Sequence, residues 1–189
     1  EVLGGPTEAP PLPAGSLDDP ELTAASASVV RITGTAYQCG SSMSGSGFVV
    51  APNRIVTNAH VVAGVTDPIV EAPGRAPVQG RVVAYQPEHD LALIAVDGLD
   101  VAPLPLADPP ADGTEGAVAG YPFGGPFQLR GAQILTTGPL TIVEDGTEST
   151  REVATLAAKV DHGNSGGPVL TMDGEIGGVV FAKSDTVQN

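Results

Sequence analysis

Positive charge is scarce in this chain of 189 residues. Lys and Arg together number 8, against 22 Asp and Glu, and the formal net charge is −14. Binding to nucleic acid requires an excess of cations that displaces counterions from the phosphates. The composition therefore excludes nucleic acid as a partner.

Aromatic residues and long apolar runs are also scarce. With no Trp, 3 Tyr and 4 Phe, the core must be aliphatic, and the many β-branched valines favour strands. The 25 Gly and 18 Pro predict numerous tight turns and argue against a helical bundle. No run approaches the roughly 18 apolar residues of a membrane span, and no signal peptide is recognisable at the start. A segment that exports or tethers the protein is therefore expected outside this chain.

Only one cysteine is present, Cys39. In a reducing compartment it would be an inert small hydrophobe, whereas in an exported protein an odd cysteine indicates a partner elsewhere. Nothing near it in sequence would lower its pKa, so a nucleophilic role is not expected. The chain has no HExxH or CxxC pattern, and its three histidines lie in separate segments. We therefore predict no metal site and no cofactor.

The first part of the chain predicts an arm, a short helix and a series of strands. Residues 1–17 are rich in Pro and Gly and predict an extended arm, followed by one domain over residues 18–189. Asp18 or Asp19 can cap a helix that begins at Pro20 and ends near Ala25. Six β-rich runs follow, bounded by Gly, Pro or Asn: 29–33, 47–50, 54–57, 68–72, 78–85 and 90–96.

A second series of runs follows a loop rich in Pro, Ala and Asp. No amphipathic helix of ten or more residues separates the runs, so the sequence predicts an all-β chain of two antiparallel barrels or a sandwich. The first unit covers about 28–97, the linker 98–114 and the second unit 115–189. The second series has five runs: 115–121, 127–137, 151–156, 167–171 and 175–182.

A serine enclosed by glycines, Ser165 in GNSGGP, is the most specific local feature. It could be an ordinary surface turn in which small residues let the backbone bend. Alternatively, Gly163 lets neighbouring N–H groups converge beside an exposed hydroxyl, which would supply a nucleophile and an oxyanion hole. Because a serine hydroxyl is a poor nucleophile near neutral pH, the second interpretation requires a base and an orienting acid.

The chain offers three histidines as that base. His60 follows a β-branched run in TNAHVV, His89 stands in EHDLAL, and His162 precedes the glycine-enclosed serine. The order His60, Asp90, Ser165 is one in which the base, acid and nucleophile of a catalytic triad recur. His89 is a weaker candidate, because adjacent residues of an extended segment point to opposite faces.

TNAHVV, HDLAL and GNSGGP together resemble the three active-site motifs of trypsin-like serine proteases, most closely the HtrA/Deg branch. The resemblance implies the chymotrypsin fold, with two six-stranded antiparallel barrels, and a serine endopeptidase that acts on protein or peptide substrates. It makes Ser165 the nucleophile, His60 the general base and Asp90 the orienting carboxylate. The oxyanion hole would consist of the N–H groups of Gly163 and Ser165.

The same resemblance suggests how substrate binds. Phe181, Ala182 and Lys183 would pair with an extended substrate, and His162 would line the rim of the primary pocket. Lys159 falls near the base of that pocket, where a buried ammonium would disfavour Arg or Lys at the cleavage site, although its side chain could instead point to solvent. Either way, the preference is not expected to be that of trypsin.

Asn164 departs from the digestive enzymes, which carry an aspartate before the nucleophile. A neutral amide cannot pair with a buried N-terminal ammonium, so we expect Asn164 to hydrogen-bond loop backbone, as in the HtrA-like branch. Ser46 in GSGF is a rival nucleophile, but glycines that allow close packing at a strand start explain it better.

Two other function classes remain for comparison. A protease-like domain without catalysis could bind peptides by strand addition, although its triad is intact in sequence. An esterase would normally carry its nucleophile in GxSxG within a parallel sheet, and this chain has no α/β alternation.

The second series has one strand fewer than a six-stranded barrel. We expect residues beyond Asn189 to supply that strand, and Cys39 to form a disulfide with a partner outside this chain. The Pro-rich arm, acidic composition and early cysteine are similar to those of membrane-anchored periplasmic members of the family that act in acid resistance. This similarity implies an extracytoplasmic location and a tether outside the chain.

Overall fold

A computed structural model describes residues 16–36, 40–144 and 147–181. The chain begins there with a 3-10 turn, Ser16–Asp18, and the helix α1, Pro20–Ser26. Asp19 caps α1, because its side chain accepts a hydrogen bond of 2.8 Å from the N–H of Glu21. The predicted helix is therefore present, with Asp19 as the cap.

The first half is a closed six-stranded barrel. Around the barrel the order is β1-β2-β3-β6-β5-β4, and all neighbouring strands are antiparallel. Its interior is filled mainly by buried Val and Ile, as the composition predicted. The six strands are β1 Val29–Ala36, β2 Ser41–Ala51, β3 Arg54–Thr57, β4 Ile69–Glu71, β5 Val78–Gln86 and β6 Leu91–Val96.

The second half is a curled sheet of five strands within the described residues. Its order, β9-β8-β7-β10-β11, repeats the order β3-β2-β1-β4-β5 of the barrel. The all-β class and the two-barrel architecture predicted from the sequence are therefore confirmed. The five strands are β7 Glu115–Gly120, β8 Gln128–Glu144, β9 Thr147–Ala158, β10 Pro168–Thr171 and β11 Ile176–Val179.

Each predicted run contains a strand, but the β8–β9 hairpin is longer than predicted. The two strands pair from Ala132 opposite Ala158 to Glu144 opposite Thr147. The run predicted over 127–137 ends where Gly138 and Pro139 interrupt the apolar pattern, yet the backbone pairing continues past both. Proline is compatible with this edge region of a two-stranded ribbon.

The halves share a core that places the candidate site between them. Leu22 of α1 and Phe48 of β2 belong to the same buried cluster as Ala119 and Leu170 of the second half. The linker binds both halves, since the N–H of Leu104 donates to Val49 O at 2.9 Å and Pro105 O accepts from the N–H of Ile176 at 2.8 Å. Among the described residues, no helix has the length and apolar character needed to cross a membrane.

Candidate active site

His60 lies in the turn that follows β3. The N–H of Val61 donates to Asn58 O at 3.2 Å, and that of Val62 donates to Ala59 O at 3.1 Å. Ala59, Val61 and Val62 are all buried. Because its neighbours anchor the turn in the core, His60 is directed outward, and its side chain is 47% exposed.

Asp90 lies between the 3-10 turn Pro87–His89 and the start of β6. It adopts a left-handed conformation with φ 52°, which closes the turn through a hydrogen bond from its N–H to Pro87 O at 3.0 Å. Asn58 holds this position from the other side, donating from Nδ2 to Asp90 O at 2.9 Å. Asp90 is 8% exposed, so its carboxylate has little contact with solvent.

The two oxygens of Asp90 both bind His60. Oδ1 accepts from the backbone N–H of His60 at 3.0 Å, and Oδ2 lies 2.8 Å from the ring Nδ1. Since an ionised carboxylate can only accept, the ring carries its hydrogen on Nδ1. Nε2 is therefore the free acceptor, which is the state that a general base requires.

The loop around Ser165 depends on glycine at two positions. Gly163 has φ 94° and Gly166 has φ 83°, a region that L side chains rarely adopt. A Cβ at Gly163 would also collide with Tyr121 O. Asn164 is buried and its Oδ1 accepts from the N–H of Asp161 at 3.0 Å, the loop-backbone role that was expected.

The peptide between His162 and Gly163 is held from one side. The N–H of Phe123, in the turn after β7, donates to His162 O at 2.5 Å. In a trans peptide the carbonyl and the following N–H point in opposite directions. The N–H of Gly163 is therefore directed away from the Phe123 turn.

Gly45 brings the Ser165 loop close to the turn that carries His60. A Cβ added at Gly45 would lie 2.6 Å from Val61 Cγ1 and 3.2 Å from Ser165 O, so only glycine fits between them. Ser165 itself is half-buried. Within the described part of the chain no hydrogen bond joins its hydroxyl to His60, a contact that often forms only with substrate bound.

The other predicted site residues fall into two groups. Phe181 is half-buried two residues beyond the end of β11, and His162 is exposed with its ring centroid 6.5 Å from that of Phe123. Lys159 is exposed, the solvent-facing arrangement that the sequence left open, and its carbonyl accepts from Arg130 at 3.2 Å. Residues outside the described ranges are Ala182, Lys183 and Cys39.

His89 and Ser46 differ from the sequence analysis in their local structure, because His89 lies in the 3-10 turn Pro87–His89 rather than in an extended segment, and Ser46 lies inside β2 rather than at a strand start. The side chain of His89 is exposed at the end of its turn, whereas Ser46 is fully buried. A buried hydroxyl cannot meet a substrate, so Ser46 is not a nucleophile. Among the described residues, no three His, Cys, Asp or Glu side chains cluster in a way that could hold a metal ion.

Sequence reasoning missed Arg151. This residue of β9 is only 6% exposed, and it donates to two carbonyls of the turn before Asp90, to Glu88 O at 2.8 Å and Pro87 O at 3.0 Å. Its guanidinium also lies 5.7 Å from the ring centroid of Phe181. No local motif marks this arginine, because the carbonyls that it binds are more than sixty residues away in sequence.

Comparison with known proteins supports the resemblance drawn from the three motifs. Residues 45–179 match the family model of the trypsin-like peptidase domain. The chain is 40% identical over 190 residues to serine protease Rv3671c of Mycobacterium tuberculosis (strain ATCC 25618 / H37Rv), covering 95% of this chain and 47% of that protein. It is 34% identical over 188 residues to the mitochondrial serine protease HTRA2 of Bos taurus, covering 94% and 41% respectively.

Solved structures give the same result for the fold. The active form of the Rv3671c protease from M. tuberculosis matches with a TM-score of 0.87 at 36% identity, over 98% of this chain and 85% of that one. The HtrA-type protease AlgW with tripeptide shares the fold, with a TM-score of 0.75 at 24% identity over 89% of this chain and 54% of that one. The chain spans about half the length of the first curated relatives it matches, 47% in each case.

Proposed function

Since the chain belongs to the trypsin-like peptidase family, we propose that this domain is a serine endopeptidase that uses His60, Asp90 and Ser165 to hydrolyse peptide bonds. The observation that carries the proposal is the double contact of Asp90 with His60, at 3.0 Å and 2.8 Å. This contact fixes both the position of the ring and its tautomer. A turn with only a structural role would not need a buried carboxylate that fixes the orientation and tautomer of a histidine ring.

The proposed reaction proceeds through an acyl-enzyme. Ser165 Oγ attacks the scissile carbonyl while its proton passes to His60 Nε2, and the N–H groups of Gly163 and Ser165 stabilise the oxyanion. Collapse of this intermediate breaks the C–N bond, and His60 returns the proton to the leaving amine. Water then gives a proton to His60 and attacks the ester carbonyl, and collapse of the second intermediate breaks the bond to Ser165 Oγ. This releases the acid product, and His60 returns its proton to Ser165.

Extended substrate would pair with the chain beyond β11. The N–H of Val180 donates to Gly167 O at 2.9 Å, and Val180 O accepts from the N–H of Gly166 at 2.8 Å. Backbone groups of adjacent residues in a strand face opposite sides. The N–H and C=O of Phe181 therefore face away from the loop around Ser165 and are directed to the side where a substrate strand would bind. Ala182 and Lys183 would continue this pairing.

The primary pocket is proposed to lie beside His162, with a preference other than that of trypsin. The exposed position of Lys159 removes its ammonium from the pocket base, and Arg130 instead forms an ion pair with Asp161 at 2.8 Å. Asp161 precedes the Ser165 loop, and its carboxylate is already neutralised by Arg130. It is therefore a poor partner for a basic side chain of the substrate.

Cleavage of a peptide library tests the proposed function. The unaltered domain should produce a defined set of fragments, Ser165→Ala should produce none, and Ser42→Ala, an exposed serine on β2, should match the unaltered domain. A folded domain that binds library peptides but cleaves none would instead be a peptide-binding module without catalysis.

We also propose an extracytoplasmic, periplasmic location, a tether outside this chain and a role in envelope or acid stress. The acidic composition and the Pro-rich residues 1–17 support this proposal. Labelling of Cys39 in intact cells by a membrane-impermeant thiol reagent, after reduction, tests the location. Labelling only after cell lysis would contradict it.

A further inference from the structure

Ser46 of β2 connects three parts of the candidate active site. It is 0% exposed, and its Oγ donates to Gly163 O at 2.6 Å and accepts from the N–H of Tyr121 at 2.9 Å. Its own N–H donates to Ser165 O at 2.9 Å, and its carbonyl accepts from Thr57 Oγ1 at 2.7 Å. All of its polar groups are therefore engaged, two of them with the loop that holds the nucleophile.

The space around this hydroxyl is made by glycines from other segments. A Cβ at Gly120 of β7 would lie 2.7 Å from Ser46 Oγ, and one at Gly167 would lie 3.2 Å from Ser46 Cβ. A Cβ at Gly166 would collide with Ser46 O. The close approach of β2, β7 and the nucleophile loop therefore leaves room for a serine and little more.

The direction of each hydrogen bond is determined by its partner. The N–H of Tyr121 can only donate and Gly163 O can only accept, so the single hydrogen of Ser46 Oγ is directed to Gly163 O. Two anchors then act on Gly163, namely Ser46 Oγ on its carbonyl and the N–H of Phe123 on the carbonyl of His162. The peptides on both sides of a conformationally free glycine are held in place.

We propose that Ser46 is a positioning residue for the oxyanion hole, which it orders by fixing the carbonyl of Gly163. This inference rests on the proposed endopeptidase function, since it assigns a role within that site. Without the Ser46 hydroxyl, the Gly163–Asn164 peptide would keep only the hydrogen bond from the Asn164 N–H to Asp161 O at 3.1 Å. Rotation about Gly163 would then be less restricted, and the direction of its N–H would be less well fixed. Because the oxyanion exists only in the transition state, the loss acts on kcat and leaves KM unchanged.

The test compares Ser46→Ala with Ser42→Ala on the same strand. Loss of a direct oxyanion donor costs about 10²–10³ in kcat, so misplacing one should cost about 10- to 100-fold. We expect this loss in Ser46→Ala, normalised to the folded fraction from thermal melts, with KM within twofold and with Ser42→Ala unchanged. A peptide boronic acid, which fills the oxyanion hole, should bind Ser46→Ala more weakly by a similar factor.

A second comparison, in a variant that lacks the nucleophile, distinguishes loss of positioning from a general loss of substrate binding. In Ser165→Ala, which cannot turn over, addition of Ser46→Ala should leave the affinity for substrate peptide unchanged. If Ser46→Ala does not fold, Ser46→Cys provides the same comparison, because a thiol is a weak donor and only slightly larger than the hydroxyl, and it should give a smaller loss in kcat.

Two results would overturn the inference. One is a folded Ser46→Ala with kcat within twofold of the unaltered domain, and the other is a loss that appears equally in KM and in peptide affinity. An unaltered domain that hydrolyses nothing and binds no boronic acid would instead contradict the proposed function itself.

Discussion

Asp90 shows how one side chain can set both the position and the protonation of its partner. Its two oxygens serve two different donors of the same residue, the backbone N–H and the ring of His60. A buried carboxylate with both oxygens occupied cannot rotate without losing a hydrogen bond. The geometry therefore favours one tautomer of His60, with Nε2 available to accept the proton of Ser165.

Asp90→Asn should reverse that tautomer while keeping the fold. An amide has one oxygen, and the backbone N–H of His60 can bind only to that oxygen, so the NH₂ group faces Nδ1 and forces the ring hydrogen to Nε2. Asn also tolerates the left-handed conformation of residue 90. We expect kcat to fall by about 10⁴-fold with little change in the melting temperature.

His89→Asn provides the matched control for this substitution, since His89 is adjacent in sequence but exposed. It should leave kcat unchanged. If Asp90→Asn retained more than a tenth of the original kcat, the role assigned to Asp90 would be wrong.

The turn after β7 is the element that joins the two halves nearest the site. Tyr121 is buried there, with its hydroxyl donating to Val29 O of β1 at 3.1 Å and its ring 5.6 Å from that of Phe127. Burial raises the pKa of the Tyr121 phenol above its ordinary value of 10.0, an effect that the nearby Arg31 guanidinium partly opposes. The phenol thus stays protonated in the folded protein at pH values where it ionises in the unfolded chain.

This raised pKa has a consequence for alkaline stability. A group whose pKa is higher in the folded state stabilises the fold below the unfolded pKa, and that contribution is lost as pH rises above about 10. Tyr121→Phe should cost about 1 kcal/mol at neutral pH through the lost hydrogen bond, but its stability should fall less steeply between about pH 9.5 and 11. Chemical denaturation across this range measures both effects.

Tyr85→Phe is the control for the Tyr121 substitution, because Tyr85 is 48% exposed. It should change neither the stability at neutral pH nor the alkaline slope. Equal alkaline slopes in Tyr121→Phe and the unaltered domain would contradict the assignment.

Local elements could be predicted from the sequence, whereas contacts between distant elements could not. Each strand has its own pattern of β-branched residues and turn formers, and His60, Asp90 and Ser165 each stand in a short motif. Ser46 was assigned only a packing role, since the hydrogen bond to Gly163 O spans 117 positions. The extension of the β8–β9 hairpin depends on pairing between strands rather than on local apolar periodicity.

Arg151 connects the halves at the scale of the whole molecule. Its side chain extends from the β8–β9 hairpin to the turn that precedes Asp90, while its guanidinium packs over Phe181. One buried side chain thus links the β8–β9 hairpin, the turn before the candidate catalytic acid and the first residue of the proposed substrate-pairing segment. The expected sixth strand and the disulfide of Cys39 lie outside the described residues and stay predictions.

Arg151→Ala should remove the hydrogen bonds to the turn before Asp90 and the contact with the Phe181 ring. We expect a loss of about 1–3 kcal/mol in the free energy of unfolding and a fall in kcat/KM, because charge-assisted hydrogen bonds to the turn are removed. Arg151→Lys, which cannot donate to two carbonyls in the same fork geometry, should recover only part of the loss. Arg81→Ala, an exposed arginine on β5, should show neither effect in denaturation and kinetic assays. Unchanged kcat/KM in Arg151→Ala would show that the turn holds Asp90 without this contact.

The most direct measurement of the central claim is the covalent reaction of the domain with a fluorophosphonate, followed by peptide mapping of the adduct. We predict one adduct per chain, located on Ser165, absent from Ser165→Ala and greatly slowed in Asp90→Asn. Ser42→Ala should react like the unaltered domain. A folded domain that forms no adduct, or one whose adduct lies on another residue, would contradict the claim that His60, Asp90 and Ser165 act as one catalytic unit.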